Sequence, residues 1–200
     1  MQYDPEERHW RERGFHRPEL VLTRLTKVGI PKRYLEADLE QFPAMNESFE
    51  QEASYYIHGP VGRGKTHLLC AMVKERALSR WDKRGCLFIT ADDLFENIKS
   101  GFKGQNEAAV DSAVTYYKEM PILAIDDLGM ERITDWTLGT IAGILNHRYN
   151  EMLITYIASN LDLEHLANNL SERIAHRLQH MCQVIKAEGQ DRRLTRKETK

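Results

Sequence analysis

No apolar run in this chain approaches the ~18 residues that a membrane helix needs, and the N-terminus, MQYDPEERHWRERG, is charged with no apolar stretch. Secretion and membrane contact are therefore not expected, and the sequence predicts a cytoplasmic protein. Cysteine is scarce: Cys70, Cys86 and Cys182 lie far apart, with no CxxC pair and no Cys/His cluster. That pattern predicts reduced thiols and argues against a disulfide framework or a structural zinc site. Charge of one sign is lacking too, with a formal net charge of -2 although 29% of the residues are charged. Any nucleic-acid binding must then come from local basic patches. There is no internal repeat or low-complexity tract. What is present is 200 residues of which 42% are hydrophobic, enough for one well-packed core with an appendage.

The first 33 residues carry eight Arg/Lys and five Asp/Glu, with short helical patterns over Glu6 to Arg13 and Pro18 to Val28, ending at Gly29 and Pro31. They are expected to be an appendage outside the core. From residue 54 onward, short runs rich in β-branched and aromatic residues alternate with longer segments of helical period, the signature of a parallel sheet. The predicted strands are Ser54 to His58, Cys86 to Thr90, Ile122 to Asp126, Leu153 to Ser159 and Gln183 to Lys186. Leu68, Leu69, Met72, Val73 and Ala77 share one face of the helix after the first strand, as packing on a sheet requires. Between the second and third strands lie 31 residues, more than a simple crossover needs. The extra length is predicted as a short helix (Asp92 to Lys99), a glycine-rich corner at Ser100, Gly101 and Gly104 carrying Phe102, and a second helix over Glu107 to Lys118. The expected division is an N-terminal helical appendage and linker (1–50), an ATPase domain (51–190) and a basic tail (191–200).

Gly59, Pro60, Val61, Gly62, Arg63, Gly64, Lys65 and Thr66 fit G-x-x-x-x-G-K-[ST], after a predicted strand and opening a predicted helix. Glycines let backbone N–H groups curl around phosphate oxygens, and the helix N-terminus, from Lys65 through His67, adds a favourable dipole. Lys65 is expected to reach the β and γ phosphates of ATP, and the Thr66 hydroxyl to take Mg2+. A chance match in a chain of this length has a probability on the order of 1% from average residue usage.

Pro121 to Gly129, PILAIDDLG, is an apolar strand ending in two carboxylates, where a nucleotide site at the C-terminal edge of a parallel sheet needs them. Asp126 is expected to hold Mg2+, directly or through water, and Asp127 to orient or deprotonate the attacking water. An acidic strand-to-loop turn is the structural alternative. Glu is common in P-loop ATPases at the position of Asp127, so the shorter side chain is expected to slow hydrolysis. Asn160, at the end of the fourth strand, can align the water, although Asn is also an ordinary turn residue. Arg173 and Arg177 lie four apart on one helix face, either solvated or aimed at a neighbouring subunit's site.

In this order and spacing, GIPKRYLEADLE, HGPVGRGKTHLLCAM, AIDDLG, ASNLDLEHL and SERIAHRL resemble the DnaC/DnaI-type helicase loaders and the related IstB-type transposition helpers, of the initiator clade of AAA+ ATPases. The resemblance covers about residues 25 to 193. It implies an α/β fold of AAA+ type, with a five-stranded parallel sheet between helices; no full C-terminal lid domain is expected, because too few residues follow Arg177. It implies that Asp126 and Asp127 are the Walker B pair, that Asn160 is sensor 1, that Arg177 is an arginine finger acting in trans and that Arg173 is its companion. The insertion after the second strand becomes the clade's extra helical motif lining a channel for single-stranded DNA. Its DNA contacts map by position to Lys99, Phe102, Thr134 and Trp136, and Arg193 matches a family arginine after Gly189.

The periodicity of Thr134 to Tyr149 gives an independent check, since Leu138, Ile141 and Leu145 form a stripe and Trp136 lies nearly opposite at about 100° per residue. A tryptophan off the core face suits base stacking, unless it covers a neighbouring loop with Thr134 merely capping the helix. The implied function is an ATP- and Mg2+-dependent loader or regulator of the hexameric replicative DNA helicase that binds single-stranded DNA and self-assembles on ATP and DNA. A transposition helper or a nucleotide-gated adaptor with negligible turnover are the alternatives. Loaders of this type carry a separate N-terminal helicase-binding domain. Only about 50 residues precede the first strand here, which makes a phage or prophage origin the expectation.

Overall fold

The computed structural model describes residues 18–78, 85–103, 107–130 and 134–188. Its centre is a five-stranded sheet formed by β1 (Ser54–His58), β2 (Cys86–Thr90), β3 (Ile122–Asp126), β4 (Ile154–Ser159) and β5 (Cys182–Lys186). The spatial order is β2-β3-β4-β1-β5 and every neighbouring pair is parallel. All five predicted strands are present, with β4 starting one residue later and β5 one residue earlier than the hydrophobic pattern suggests. Strands buried on both faces read as continuous apolar runs, and that is how ILAID and ITYIAS behave: every residue of β3 and β4 is buried.

Alternation along the strands divides the interior in two. On one face Tyr55, Ile57, Phe88, Ala124, Tyr156 and Ala158 pack against α3 (Lys65–Leu78), which follows β1. Also on that face are α1 (Pro18–Lys27), two single 3-10 turns at Lys32–Tyr34 and Leu39–Gln41, and the short α2 (Pro43–Ser48). Val21, Leu25, Val28, Ile30, Leu35, Leu39 and Met45 are buried in this cluster. The expectation that the first 33 residues stand outside the core is therefore wrong for residues 21–30; their high local charge sits on the outward face of α1 and hides its apolar stripe. Glu6 to Arg13, the other predicted N-terminal helix, lies outside the described residues.

This N-terminal strap also covers part of one edge of the sheet. The Phe88 N–H of β2 donates to the Val28 carbonyl at 2.7 Å, and Gly29 turns the chain away with φ of 86°. A Cβ at Gly29 would stand 2.3 Å from the Phe88 carbonyl oxygen, so the close approach needs glycine.

The other face carries four helices: α4 (Ala91–Lys103), α5 (Glu107–Glu119), α6 (Asp135–Asn150) and α8 (Glu172–Met181), with the short α7 (Leu163–Asn169) leading into the last. Tyr56, Leu123, Ile125 and Ile157 from the sheet meet Leu94, Ile98, Ile141, Ile144, Leu145, Ile174 and Leu178. The expected glycine-rich corner is corrected here, because α4 runs through Ser100 and Gly101 to Lys103. A helical glycine costs about 1 kcal/mol, little beside the burial of Leu94, Phe95 and Ile98 that the same helix secures. The Phe102 side chain lies outside the described residues.

Arg148, near the end of α6, is fully buried on this face and is held chiefly by carbonyl oxygens, with the Glu119 charge nearby. Its guanidinium donates to the carbonyls of Tyr117, Lys118 and Met120 where α5 ends, to the Ile154 carbonyl and to the Thr155 hydroxyl of β4. Carbonyls left over at a helix end thus find a charged donor. Burial pulls the guanidinium down to about 10, still charged at neutral pH. The sequence pattern hides this role inside the polar run NHRYN, although Arg148 falls seven residues after Ile141 on the buried stripe. Among the described residues no helix is long and apolar enough to cross a membrane.

Candidate functional site

Gly59 to Thr66 join β1 to α3 as the motif predicts, with Gly59, Gly62 and Gly64 at φ of 142°, 85° and 84°. These are backbone conformations that side chains with a Cβ rarely adopt, and they turn successive N–H groups inward. At Gly59 a Cβ would also meet the Ala187 carbonyl oxygen at 2.7 Å, where the chain leaving β5 hydrogen-bonds His58 through the Ala187 N–H. Lys65 is buried, and its ammonium donates to the carbonyls of Gly59 at 2.7 Å and Pro60 at 2.9 Å and to Asn160 Oδ1 at 2.7 Å. The amide just after β4 and the loop's own carbonyls together hold this ammonium. Sequence reasoning places Asn160 beside the carboxylate pair; the contact it makes in the structure is with Lys65.

Asp126 ends β3 and is buried. Burial first, then the neighbouring Asp127 charge, pushes its carboxyl up to about 6; the Thr66 hydroxyl bond and the Lys65 charge pull the other way. Its Oδ1 is buried without a hydrogen-bond partner. An orphaned carboxylate oxygen beside a threonine hydroxyl is a hard, all-oxygen donor set, which fits Mg2+. Asp127 is exposed, and its φ of 55° bends the chain sharply after the strand. Asparagine and aspartate tolerate that region better than other residues with a side chain. The bend is held by the Leu128 N–H to the Ala158 carbonyl and by Ser159 Oγ to the Leu128 carbonyl, so the ends of β3 and β4 are locked together.

Two rings that sequence reasoning misses adjoin the loop. Tyr34 and Phe42, from the N-terminal strap, lie with their ring centroids 5.8 and 5.5 Å from that of His67. A buried ion pair, Lys74 Nζ to Asp38 Oδ2 at 3.1 Å, ties the same strap to α3. Asp38 also caps the second 3-10 turn through the Glu40 N–H. The only sequence signal for this is the proximity of GIPKRYLEADLE to the motif, with no periodicity to mark it.

Arg173 and Arg177 lie on α8 with Glu172, His176, His180 and Tyr149 around a depression of about 560 Å³. Arg173 is exposed and Arg177 half-buried, and neither makes a hydrogen bond or ion pair among the described residues. The expected DNA contacts are partly united: Lys99 Nζ stands 5.0 Å above the Trp136 ring. The buried stripe of α6 is Thr137, Ile141, Ile144, Leu145 and Arg148, with Leu138 only half-buried. Trp136 does not simply face outward, as the predicted stripe implies. It is half-buried, with its ring T-shaped against Phe95 of α4 at 6.0 Å. Thr134 is the N-cap of α6, its hydroxyl accepting from the Thr137 N–H.

A parallel sheet in this strand order, with a phosphate loop after the strand beside β4 and a carboxylate pair after β3, defines an AAA+ P-loop ATPase fold. The family described as IstB-like ATP binding protein matches residues 41–200, and the chain belongs to it. The replicative helicase loader DnaC of Buchnera aphidicola subsp. Baizongia pistaciae is 31% identical over 169 residues, covering 77% of this chain and 68% of that protein. The replicative helicase loader DnaI of Bacillus subtilis is 24% identical over 151 residues, 69% of this chain and 47% of that protein. A crystal structure of DnaI superposes with a TM-score of 0.67 at 26% identity, covering 84% of this chain and 99% of that one. The chain thus spans about half to two thirds of the curated relatives it matches.

Proposed function

We propose that this chain binds ATP with Mg2+ and uses it to load or regulate a hexameric replicative DNA helicase on single-stranded DNA. The observation that carries the nucleotide part is the orphaned Asp126 Oδ1 beside the Thr66 hydroxyl, at the foot of a glycine loop whose lysine is already turned inward. The helicase part rests on the names of the relatives. Mg2+ neutralises charge on the β and γ phosphate oxygens when bound. Lys65 exchanges the Gly59 and Pro60 carbonyls and the Asn160 amide oxygen for phosphate oxygens, keeping its charge compensated throughout. That exchange releases the Asn160 amide to align a water, and the exposed Asp127 carboxylate orients or deprotonates it. Arg177, which has no partner of its own among the described residues, completes the site of a neighbouring subunit with Arg173 beside it, so turnover is slow until subunits assemble on ATP and DNA. Lys99 and Trp136 supply a phosphate contact and a stacking surface for the strand, with Phe102 and Thr134 alongside. Arg193 and the basic tail, 191–200, add phosphate contacts of their own.

The test has two arms. Lys65→Ala should abolish tight binding of a fluorescent ATP analogue while the protein stays folded, and an unchanged dissociation constant would remove the nucleotide assignment. Affinity capture of tagged protein with ATP should retain a replicative helicase. Retention of a transposase instead would move the chain to the transposition branch of its family.

A further inference from the structure

The face of α8 that carries Arg173 and Arg177 also carries two histidines whose geometry the nucleotide reading does not use. His176 and His180 are four residues apart, so they stand one turn above the other on the same side of the helix. Their Nε2 atoms are 3.1 Å apart and their ring centroids 4.3 Å apart, tilted by 50°. Both rings are exposed, and the depression they share with Tyr149 and Glu172 is open enough for a hydrated ion. The geometry points to a two-histidine chelate for a late first-row divalent ion of the Zn2+, Ni2+ or Cu2+ class.

Three physical arguments carry this. At the ~2.1 Å typical of a metal–imidazole bond, two nitrogens 3.1 Å apart subtend ~95° at the ion, between octahedral and tetrahedral values. A helical i, i+4 histidine pair is also the spacing by which metalloprotease helices present two ligands to one ion. Imidazole selects borderline metals over Mg2+ or Ca2+, so the ion is of a different class from the one expected at Asp126.

Without metal, one ring's Nε2–H donates to the other's Nε2. Binding requires both Nε2 atoms bare, which neutral rings reach by moving that one proton to Nδ1 with no net loss. Glu172 lies one turn before His176 and favours the cation, whereas Arg173 and Arg177 oppose it, both where water screens them. Coordination is short-range and those repulsions are screened, so the chelate prevails. With two protein ligands the remaining positions belong to water. This site stands on the histidine geometry and does not depend on Arg177 acting in trans.

The experiment is calorimetric titration of the full chain, stripped with chelator, with NiCl2 at pH 7.5 in a non-coordinating buffer. One site in the micromolar range is expected. His176→Ala and His180→Ala should each weaken it by about tenfold or more, and His165→Ala, an exposed histidine outside the pair, should not. Saturating Ni2+ should raise the melting temperature of the wild type and leave both pair variants unmoved, because only a folded α8 holds the two rings together. Unchanged affinity in either pair variant, or loss in only one of them, would overturn the chelate. Circular dichroism of the metal-free variants should match the wild type, since both positions are exposed.

Discussion

The two faces of the sheet are built by different means. One face is covered by a single long helix and an irregular strap, pinned by the Lys74–Asp38 ion pair, by buried Arg76 reaching Gln51 and Glu52 just before β1, and by an edge hydrogen bond; the other is covered by regular helices anchored on the buried Arg148 guanidinium, which holds backbone carbonyls. The phosphate loop belongs to the first face and the proposed DNA contacts and arginines to the second. The nucleotide side thus depends on contacts between segments far apart in sequence, Asp38 with Lys74 and Val28 with Phe88. The effector side is organised around Arg148, which fastens α5, α6 and β4 at one point.

Removing that fastening is the harshest way to break the comparison. Arg148→Met keeps much of the volume but leaves four carbonyl acceptors, two of them in fully buried bonds, without their charged donor. It should cost about 3 to 5 kcal/mol in urea unfolding, with α4 and α5 exchanging amide protons faster than the rest. On the strap face Asp38→Ala removes the carboxylate paired with Lys74, whose side chain is only 4% exposed, and should cost about 2 to 4 kcal/mol. That loss should expose α1 to protease before α5, and a reversed order of cleavage in the two variants would erase the distinction between the faces.

The smallest effect is a gain. Folding raises Asp126 from 3.8 to about 6, so the folded state holds the proton more tightly and loses stability relative to the unfolded chain as pH rises through that window. At neutral pH the buried, ionised carboxylate is a cost borne by the metal-free protein. Asp126→Asn should therefore melt higher than wild type at pH 7.5, by about 1 to 3 kcal/mol, and the gap should close toward pH 4. Addition of ATP and Mg2+ should reverse the ranking, because only the wild type retains the carboxylate.

The sheet and the loop were readable because each is local: the strands are short apolar runs, and the motif packs glycine, lysine and threonine into one turn. The strap is hard to read because Val21 and Leu25 lie on a helix that also carries charge, and the residues they pack with come from the sheet and α3, distant in sequence. The end of α4 is hidden for another reason, since glycine is a local breaker whose penalty yields to tertiary burial. Trp136 shows the limit of helical-wheel reasoning: its angle on α6 was judged against the sheet, whereas a second helix, α4, meets it from the side. Asn160 is the converse case, a residue found from its position at a strand end whose contact with Lys65 no spacing rule could specify.

The hydrogen bond from Phe88 to Val28 bears on how the protein fails as well as on how it folds. A β strand at the rim of a sheet offers a row of donors and acceptors to any other chain, and is a template for aggregation unless covered. The strap covers part of that rim at β2, and Gly29 is what permits the approach. A population with the strap detached is therefore sticky before it is unfolded, and its loss in the cell or the test tube would register as insolubility, growing with protein concentration, ahead of any loss of helical signal.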